Sequence, residues 1–452
     1  MTVLGLICDS LTPFFYGVRE ARLNMTSALH IAVLAAGEGT RLGGAQPKVL
    51  TPLWGRPSVA WPLEAAASLE PSTQVVVVGR HRAAVEAALA ERNDSVVFAD
   101  QAEPLGTGHA LLCAKQALAG ATGRLLVLYG DCPLVHPALL ESLLEAHDRS
   151  PAALTLLTME LDDPTGYGRV VRDDAGHVVA IMEQADATVD EQSICEVNTG
   201  IWVLDLPQGL DRLESLGRDN AQGEVYLTDL VGLATQAGEP VGALCWHDPE
   251  DVLGFNDHTE LALVRGILRE RILAHHLEAG VEIVDPGSTF LDVTVEIEAG
   301  AQLLPCTMIE GHVSIAKGCV VGPFAHLRDG TVLEAGAEIG NFTEIKKTRV
   351  GAGSKAKHLT YLGNAEIGAK VNVGCGTITA NYDGKHKHTT KIADGAFIGS
   401  GTVLVAPSEV GEGSRTGAGA IVTAGSKLSA GETWIGVPAR PLQAKRVPRP
   451  TE

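Results

Sequence analysis

The chain has 452 residues, 45% of them hydrophobic and 20% charged, with a formal net charge of −20 at pH 7. So much apolar content excludes a disordered chain, and the length allows two or more domains that each bury a core. The acidic balance excludes a general binder of nucleic acid or anionic membrane, because phosphates are repelled unless a local basic patch overcomes the mean field.

Residues 1–28 read as an extension expected to be disordered. The apolar run Val3–Cys8 lacks a basic leader and is broken by Asp9, which argues against a signal peptide. The longest apolar runs further on, such as Val75–Val78 and Leu125–Tyr129, are strand-sized and too short to span a membrane. The eight cysteines, Cys8 to Cys375, include no CxxC pair, a usage that fits reduced thiols in a cytoplasm.

From 29 to 257, short apolar runs alternate with helical patterns. His30–Leu34, Val75–Val78, Val96–Phe98, Leu125–Tyr129 and Leu154–Met159 read as strands, predicting an α/β domain with a largely parallel sheet. Ligands of such sheets sit at the carboxyl ends of the strands. The first strand runs into Ala35-Ala36-Gly37-Glu38-Gly39-Thr40-Arg41, with Lys48 shortly after. Glycines there let backbone N–H groups approach phosphate, while Arg41 and Lys48 supply positive charge. The loop is neither a dinucleotide fingerprint nor a P-loop, lacking the third glycine of the one and the GK[ST] of the other. Asp131 closes the strand Leu125–Tyr129, a position and a hard oxygen donor that suit Mg²⁺.

Residues 258–280 read as a linker helix with Gly280 as its C-cap. A solenoid is expected over 281–438, followed by a tail, 439–452. Its signature is an aliphatic residue at every sixth position: Ile297, Leu303, Ile309, Ile315, Val321, Leu327, Leu333, Ile339 and Ile345, resuming at Ile392, Ile398, Leu404 and Val410. Period six fits a strand-and-turn unit repeated three times per coil. Between the two ladders the period slips at Val350 and Ile367, and Asn381–Thr390 is inserted. The slips enclose Arg328, Lys346, Lys347, Arg349, Lys355, Lys357, His358 and Tyr361, a basic cluster suited to anionic ligands. An imidazole such as that of His358, with an ordinary pKa of about 6.5, can take a proton near pH 7.

The string LAAGEGTR…PKVL resembles the signature of sugar-nucleotide pyrophosphorylases. Gln101-Ala-Glu-Pro-Leu-Gly106-Thr107-Gly108-His109, Tyr129-Gly130-Asp131, Asp162-Asp-Pro-Thr-Gly-Tyr-Gly168-Arg169, Glu183, Asn198-Thr-Gly, Gln222-Gly-Glu-Val-Tyr-Leu-Thr-Asp229 and Asn256 follow in the same order. Joined to the solenoid and to Lys355-Ala-Lys-His358-Leu-Thr-Tyr361-Leu-Gly, they are similar to the bifunctional GlmU family, an N-acetylglucosamine-1-phosphate uridyltransferase fused to a glucosamine-1-phosphate acetyltransferase.

The resemblance implies a Rossmann-like nucleotidyltransferase domain followed by a left-handed parallel β-helix of hexapeptide repeats. It implies that UTP and its product are held by Leu34, Ala35, Ala36, Gly37, Lys48, Gln101, Gly106, Thr107, Tyr129, Gly130 and Asp131, and the amino sugar by Gly168, Glu183 and Asn198. Asn256 would join Asp131 as a ligand of Mg²⁺, and Arg41 and Lys48 would neutralise the transferring phosphate. Thr107 is also expected to cap the helix it opens.

In the solenoid the resemblance implies His358 as general base and Arg328 and Lys346 on the sugar phosphate. Tyr361, Asn372, Asn381 and Tyr382 would surround the sugar and acetyl group, with Cys375, Ser400 and Ala418 along the acetyl-CoA path. Cys375 replaces the family's alanine and Gly436 its arginine, a loss that Arg440 is expected to offset. The implied partners are UTP, N-acetylglucosamine-1-phosphate, glucosamine-1-phosphate and acetyl-CoA, with a homotrimer as the assembly. A single-activity nucleotidyltransferase carrying a structural or regulatory β-helix is the alternative. A metal held by His358, His386 and His388 is a remoter one.

Overall fold

A computed structural model describes residues 27–37, 39, 42, 46–90 and 96–442. Nearly all of the expected N-terminal extension, Arg41 and most of the tail lie outside the described residues. The chain divides into two compact units, Met1–Leu268 and Arg269–Glu452.

The first unit is built on one sheet. Its strands, in chain order, are β1 (Leu29–Ala35), β2 (Thr73–Val78), β3 (Val96–Asp100), β4 (Gly123–Tyr129), β5 (Leu154–Glu160), β6 (Arg169–Arg172), β7 (Val178–Met182), β8 (Glu196–Leu206) and β9 (Val241–Trp246). The main path is β9-β5-β8-β4-β1-β2-β3, with β6 and β7 forming a side ribbon off β8. The five strands expected from the sequence are present and pair in parallel where they adjoin, β1 with β2 and β4, and β2 with β3. Strand β8 runs antiparallel between β4 and β5, so the sheet is mostly rather than wholly parallel.

Both faces of the sheet are covered. Ile31, Val33, Val76 and Leu128 belong to one core and Ala32, Leu34, Val75 and Val127 to the other. Full burial on both sides explains why these strands read as unbroken apolar runs instead of alternating ones.

In the second unit the six-residue ladder is the inner wall of a parallel β-helix. Three sheets run its length, and Leu303, Ile309, Ile315, Val321, Leu327, Leu333, Ile339 and Ile345 are all buried. Leu303 pairs with Val321 and Val321 with Ile339, so one coil takes eighteen residues. The next pairings, Ile339 with Ala356 and Ala356 with Val373, are each one residue shorter. The missing residue falls at one corner, where Ile345 and Val350 in one coil, and Leu362 and Ile367 in the next, stand five apart instead of six. The coil after that carries the insertion at the same corner, between strands Ile378–Ala380 and Thr390–Ile392.

Helix His258–Glu278 ends on Gly280 at φ 88°, a left-handed C-cap of the expected kind. Near its end His276 is 3% exposed and stacked edge-on to His275 at 5.4 Å. Burial, reinforced by His275, pushes its pKa down to about 4. The folded value lies below the unfolded value of about 6.5, so the unfolded chain binds the proton first. Stability is therefore full above pH 6.5 and falls as the pH drops toward 4, by about 3 kcal/mol in all. Urea unfolding of the wild type from pH 7 to pH 4 should show that loss, and His276→Leu should remove most of it.

Candidate functional sites

At the carboxyl ends of β1, β3 and β4 the first unit opens a cleft of about 390 Å³. Leu34, Ala36, Gly37, Lys48, Gln101, Gly106, Thr107, Tyr129, Asp131 and Asn256 all line it. Ala35 and Gly130 do not: Ala35 is buried in β1, and Gly130 packs under Val49 and Val59 with its carbonyl held by the Ser58 hydroxyl at 2.8 Å. These two shape the floor beneath the site.

The charged centre is compact. Lys48 opens a short 3₁₀ turn, Lys48–Leu50. Its Nζ forms an ion pair with Asp131 and donates to Asn256 Oδ1 at 2.8 Å. The ammonium also lies 5.6 Å from the centre of the Phe255 ring, which is fully buried. Two oxygen donors 125 residues apart in sequence thus meet around one cation.

Opposite them, the Gln101 amide donates to Gly106 O at 3.0 Å and lies 3.1 Å from His109 Nδ1. Gly106 has φ 106°, and a Cβ there would lie 2.5 Å from Val225 O, so only glycine fits. Gly106 is the N-cap of helix Thr107–Cys113, which corrects the expectation that Thr107 caps it. Thr107 is the first helical residue, and its Oγ1 accepts the Leu227 N–H at 3.1 Å, pinning the helix start to the segment before Asp229.

The residues assigned to the amino sugar form a neighbouring group. Asn198 N–H donates to Gly168 O at 2.9 Å, and a Cβ on Gly168 would lie 3.5 Å from the Glu183 carboxyl. Thr228 Oγ1 donates to Glu183 at 3.0 Å. Burial pushes the Glu183 carboxyl above its ordinary range, with Asp229 and Asp186 adding to the rise and the Thr228 bond opposing it. Sequence reasoning missed Pro104, Val49, Ala110 and Glu224 in the cleft lining and Thr228 beside Glu183. Glu224 and Thr228 belong to the motif string Gln222–Asp229, Pro104 to Gln101–His109 and Val49 to Pro47–Leu50, which was their only signal; Ala110 is an apolar residue whose place depends on tertiary packing.

The second group lies on the outside of the β-helix. Register places Asn341 beside His358, and the same pairing carried onward sets Cys375, Ser400 and Ala418 at the equivalent point of successive coils. They form one column along a corner. On the adjacent sheet Arg328 donates to Glu344 at 2.7 Å, and Glu344 pairs in register with Tyr361. Lys346 stands beside Gly363, where a Cβ would lie 2.5 Å from the Tyr361 hydroxyl and 2.8 Å from Asn381 Nδ2. Asn381 Nδ2 also donates to Asn364 Oδ1 at 2.7 Å, and the Tyr382 hydroxyl to Gly384 O at 2.7 Å. Asn372 sits between Lys355 and Phe397. Arg440 is exposed on the last, antiparallel strand, pairs in register with Ile435 and donates to Ala439 O.

The expected basic cluster is divided between faces. Arg349 is on the third sheet, paired with Glu334, and Lys355 and Lys357 both pair with Glu338. Only Arg328 and Lys346 share a face with Tyr361. His388 pairs with Asp383 at 2.7 Å, and among the described residues no group of three His, Cys, Asp or Glu side chains is placed to hold a metal ion. No described helix is long and apolar enough to cross a membrane.

Residues 31–190 match the MobA-like NTP transferase domain family. A protein of Pelobacter propionicus named Bifunctional protein GlmU is 44% identical, the match covering 92% of this chain and 95% of that protein. A protein of the same name from Trichlorobacter lovleyi is 44% identical over 84% of this chain and 90% of its own length. Among solved structures, the inositol-1-phosphate CTP transferase from T. maritima aligns with a TM-score of 0.45 at 18% identity, over 55% of this chain and 97% of its own.

Proposed function

The chain belongs to the bifunctional GlmU family, and on that premise we propose that it makes UDP-N-acetylglucosamine by two successive transfers. In the first, the amino group of glucosamine-1-phosphate attacks the thioester of acetyl-CoA, giving the N-acetyl sugar and free coenzyme A. In the second, the phosphate of N-acetylglucosamine-1-phosphate attacks the α-phosphorus of UTP and pyrophosphate leaves.

The observation that carries the uridylyl step is the convergence of Asp131 and Asn256 on the Lys48 ammonium. A carboxylate and an amide oxygen facing one cation are a donor set that fits Mg²⁺, a hard ion taking few protein ligands. When bound, the ion would neutralise and orient the phosphates. The protein's own part is positioning: Lys48 sets its charge toward the triphosphate, and Gln101 and Gly106 form the wall for the base. Arg41 is proposed to add a second positive charge. Gly168, Glu183 and Asn198 would hold the amino sugar against that centre.

For acetyl transfer, His358 takes the proton that the attacking amine must lose, Arg328 and Lys346 hold the sugar phosphate, and Tyr361, Asn372, Asn381 and Tyr382 surround the sugar and acetyl group. Cys375, Ser400 and Ala418 line the coenzyme A path, supported by their single column with His358; Arg440 would stand in for the absent arginine. A homotrimer in the cytoplasm is the proposed assembly. The exposed apolar stripe of Phe324, Phe342 and Leu359 next to His358, its two phenyl rings stacked at 5.2 Å, supports burial by a neighbouring copy. The product would feed peptidoglycan and lipopolysaccharide synthesis.

One assay tests both halves. Purified protein given glucosamine-1-phosphate and acetyl-CoA should release coenzyme A thiol, and with UTP and Mg²⁺ added it should release pyrophosphate. Pyrophosphate from N-acetylglucosamine-1-phosphate without any thiol release would replace this reading with the single-activity one.

A further inference from the structure

Behind the cleft lies a buried polar cluster that the two transfers leave unused. Asp251, in the 3₁₀ turn Pro249–Val252, is 8% exposed, and His136 is 7% exposed. Asp251 Oδ2 accepts from Trp246 Nε1 at 2.8 Å and lies 3.1 Å from His136 Nε2. The other ring nitrogen of His136, Nδ1, accepts the Leu139 N–H at 3.3 Å as the cap of helix Pro137–Asp148. An accepting Nδ1 carries no proton, so the proton on Nε2 points at Asp251 and the histidine donates to it. The Trp246 ring meets the His136 ring edge-on at 6.1 Å.

The cluster joins two particular stretches of chain. His136 lies five residues beyond Asp131, and Asp251 five residues before Asn256. Between these anchors the stretches touch: a Cβ on Gly254 would lie 3.1 Å from Asp131 O and 3.3 Å from Cys132 Sγ. Asn256 is tied from its other side by the start of the next helix, where Asp257 Oδ1 accepts the Thr259 and Glu260 N–H groups and Glu260 accepts the Asn256 N–H. On the Asp251 side, the buried aspartate with its two donors is the polar link that fixes the approach to Asn256.

We propose that His136, Asp251 and Trp246 are positioning residues for nucleotidyl transfer, a clamp that sets the spacing between Asp131 and Asn256 and so the affinity of the site for a divalent cation. This rests on the reading that those two residues hold the cation. Partners that orient metal ligands from behind typically change affinity or activity 10–100-fold when removed.

The test uses full-length protein titrated with Mn²⁺ alone, followed by electron paramagnetic resonance, and separately the Mg²⁺ concentration for half-maximal pyrophosphate release. Asp251→Asn keeps the side-chain shape and removes the charge. His136→Asn keeps a good helix cap but is too short to reach Asp251. Both should weaken Mn²⁺ binding about tenfold and raise the Mg²⁺ requirement to match, with the KM for UTP at saturating Mg²⁺ and the rate of acetyl transfer unchanged. Asp131→Ala should weaken Mn²⁺ binding further still. If Asp131→Ala weakens it and neither clamp variant does, the clamp is refuted. If Asp131→Ala binds Mn²⁺ as the wild type does, the cation assignment beneath it fails instead. A loss of pyrophosphate release in both clamp variants without any shift in Mn²⁺ or Mg²⁺ dependence would show a merely structural cluster and also overturn the proposal.

Discussion

Replacing His358 with alanine should lower coenzyme A thiol release by about 10²–10⁴-fold while pyrophosphate release continues at the wild-type rate. The amine cannot complete its attack on the thioester without losing a proton, and in the proposed site His358 is the group that takes it. Its side chain is exposed at the end of strand Lys355–His358, so alanine leaves no cavity. The backbone around it is held independently: Thr360 Oγ1 donates to His358 O at 2.6 Å, and Leu359 N–H to Asn341 O at 2.9 Å. The variant should therefore unfold at the same urea concentration as the wild type. Equal loss of both activities, or a loss of thiol release below threefold, would remove His358 from the role of base.

The mirror experiment is Asp131→Ala, for which pyrophosphate release should fall by a similar factor of about 10²–10⁴ with thiol release intact. Here a structural cost is expected as well. The Lys48 side chain is only 11% exposed, and it loses its carboxylate partner while its bond to Asn256 remains. A largely buried ammonium stripped of its counter-charge costs on the order of 1–3 kcal/mol. Asp131→Asn, which retains an oxygen toward Lys48, should recover part of that stability but little of the activity. Recovery of both together would mean that Asp131 serves the fold and not the reaction.

Much of the architecture was legible because each half buries its side chains with a simple period. Val75–Val78 is covered on both faces and reads as a continuous apolar run, and Leu303 to Ile345 faces the inside of a three-sided coil and reads as every sixth residue. Strand β8 was not seen: Glu196–Leu206 carries Asn198 and Thr199 at a break in its pairing with β5, which spoils the pattern. The sites were legible as lists rather than as shapes. Motif strings named Asp131 and Asn256, yet their meeting on Lys48 depends on a contact across the fold that no local spacing encodes. Clustering in sequence misled at Arg349, Lys355 and Lys357, because neighbouring residues in a three-sided coil turn onto different faces and find Glu334 and Glu338 there. The His136–Asp251 pair left no trace at all, being one histidine and one aspartate among many.

The coil lengths of the second unit bear on how such a protein can change. A strictly periodic stack has translational symmetry, and a ligand-binding groove made by one coil would be repeated by every other. Two five-residue corners in succession, topped by the insertion at the same corner, break that symmetry over three successive coils, where Asn364 bonds to Lys346 O below and receives Asn381 above. The stack thereby acquires a single address. Whole coils can be gained or lost at the end that precedes Arg328 without creating a second copy of the groove or moving the one that exists.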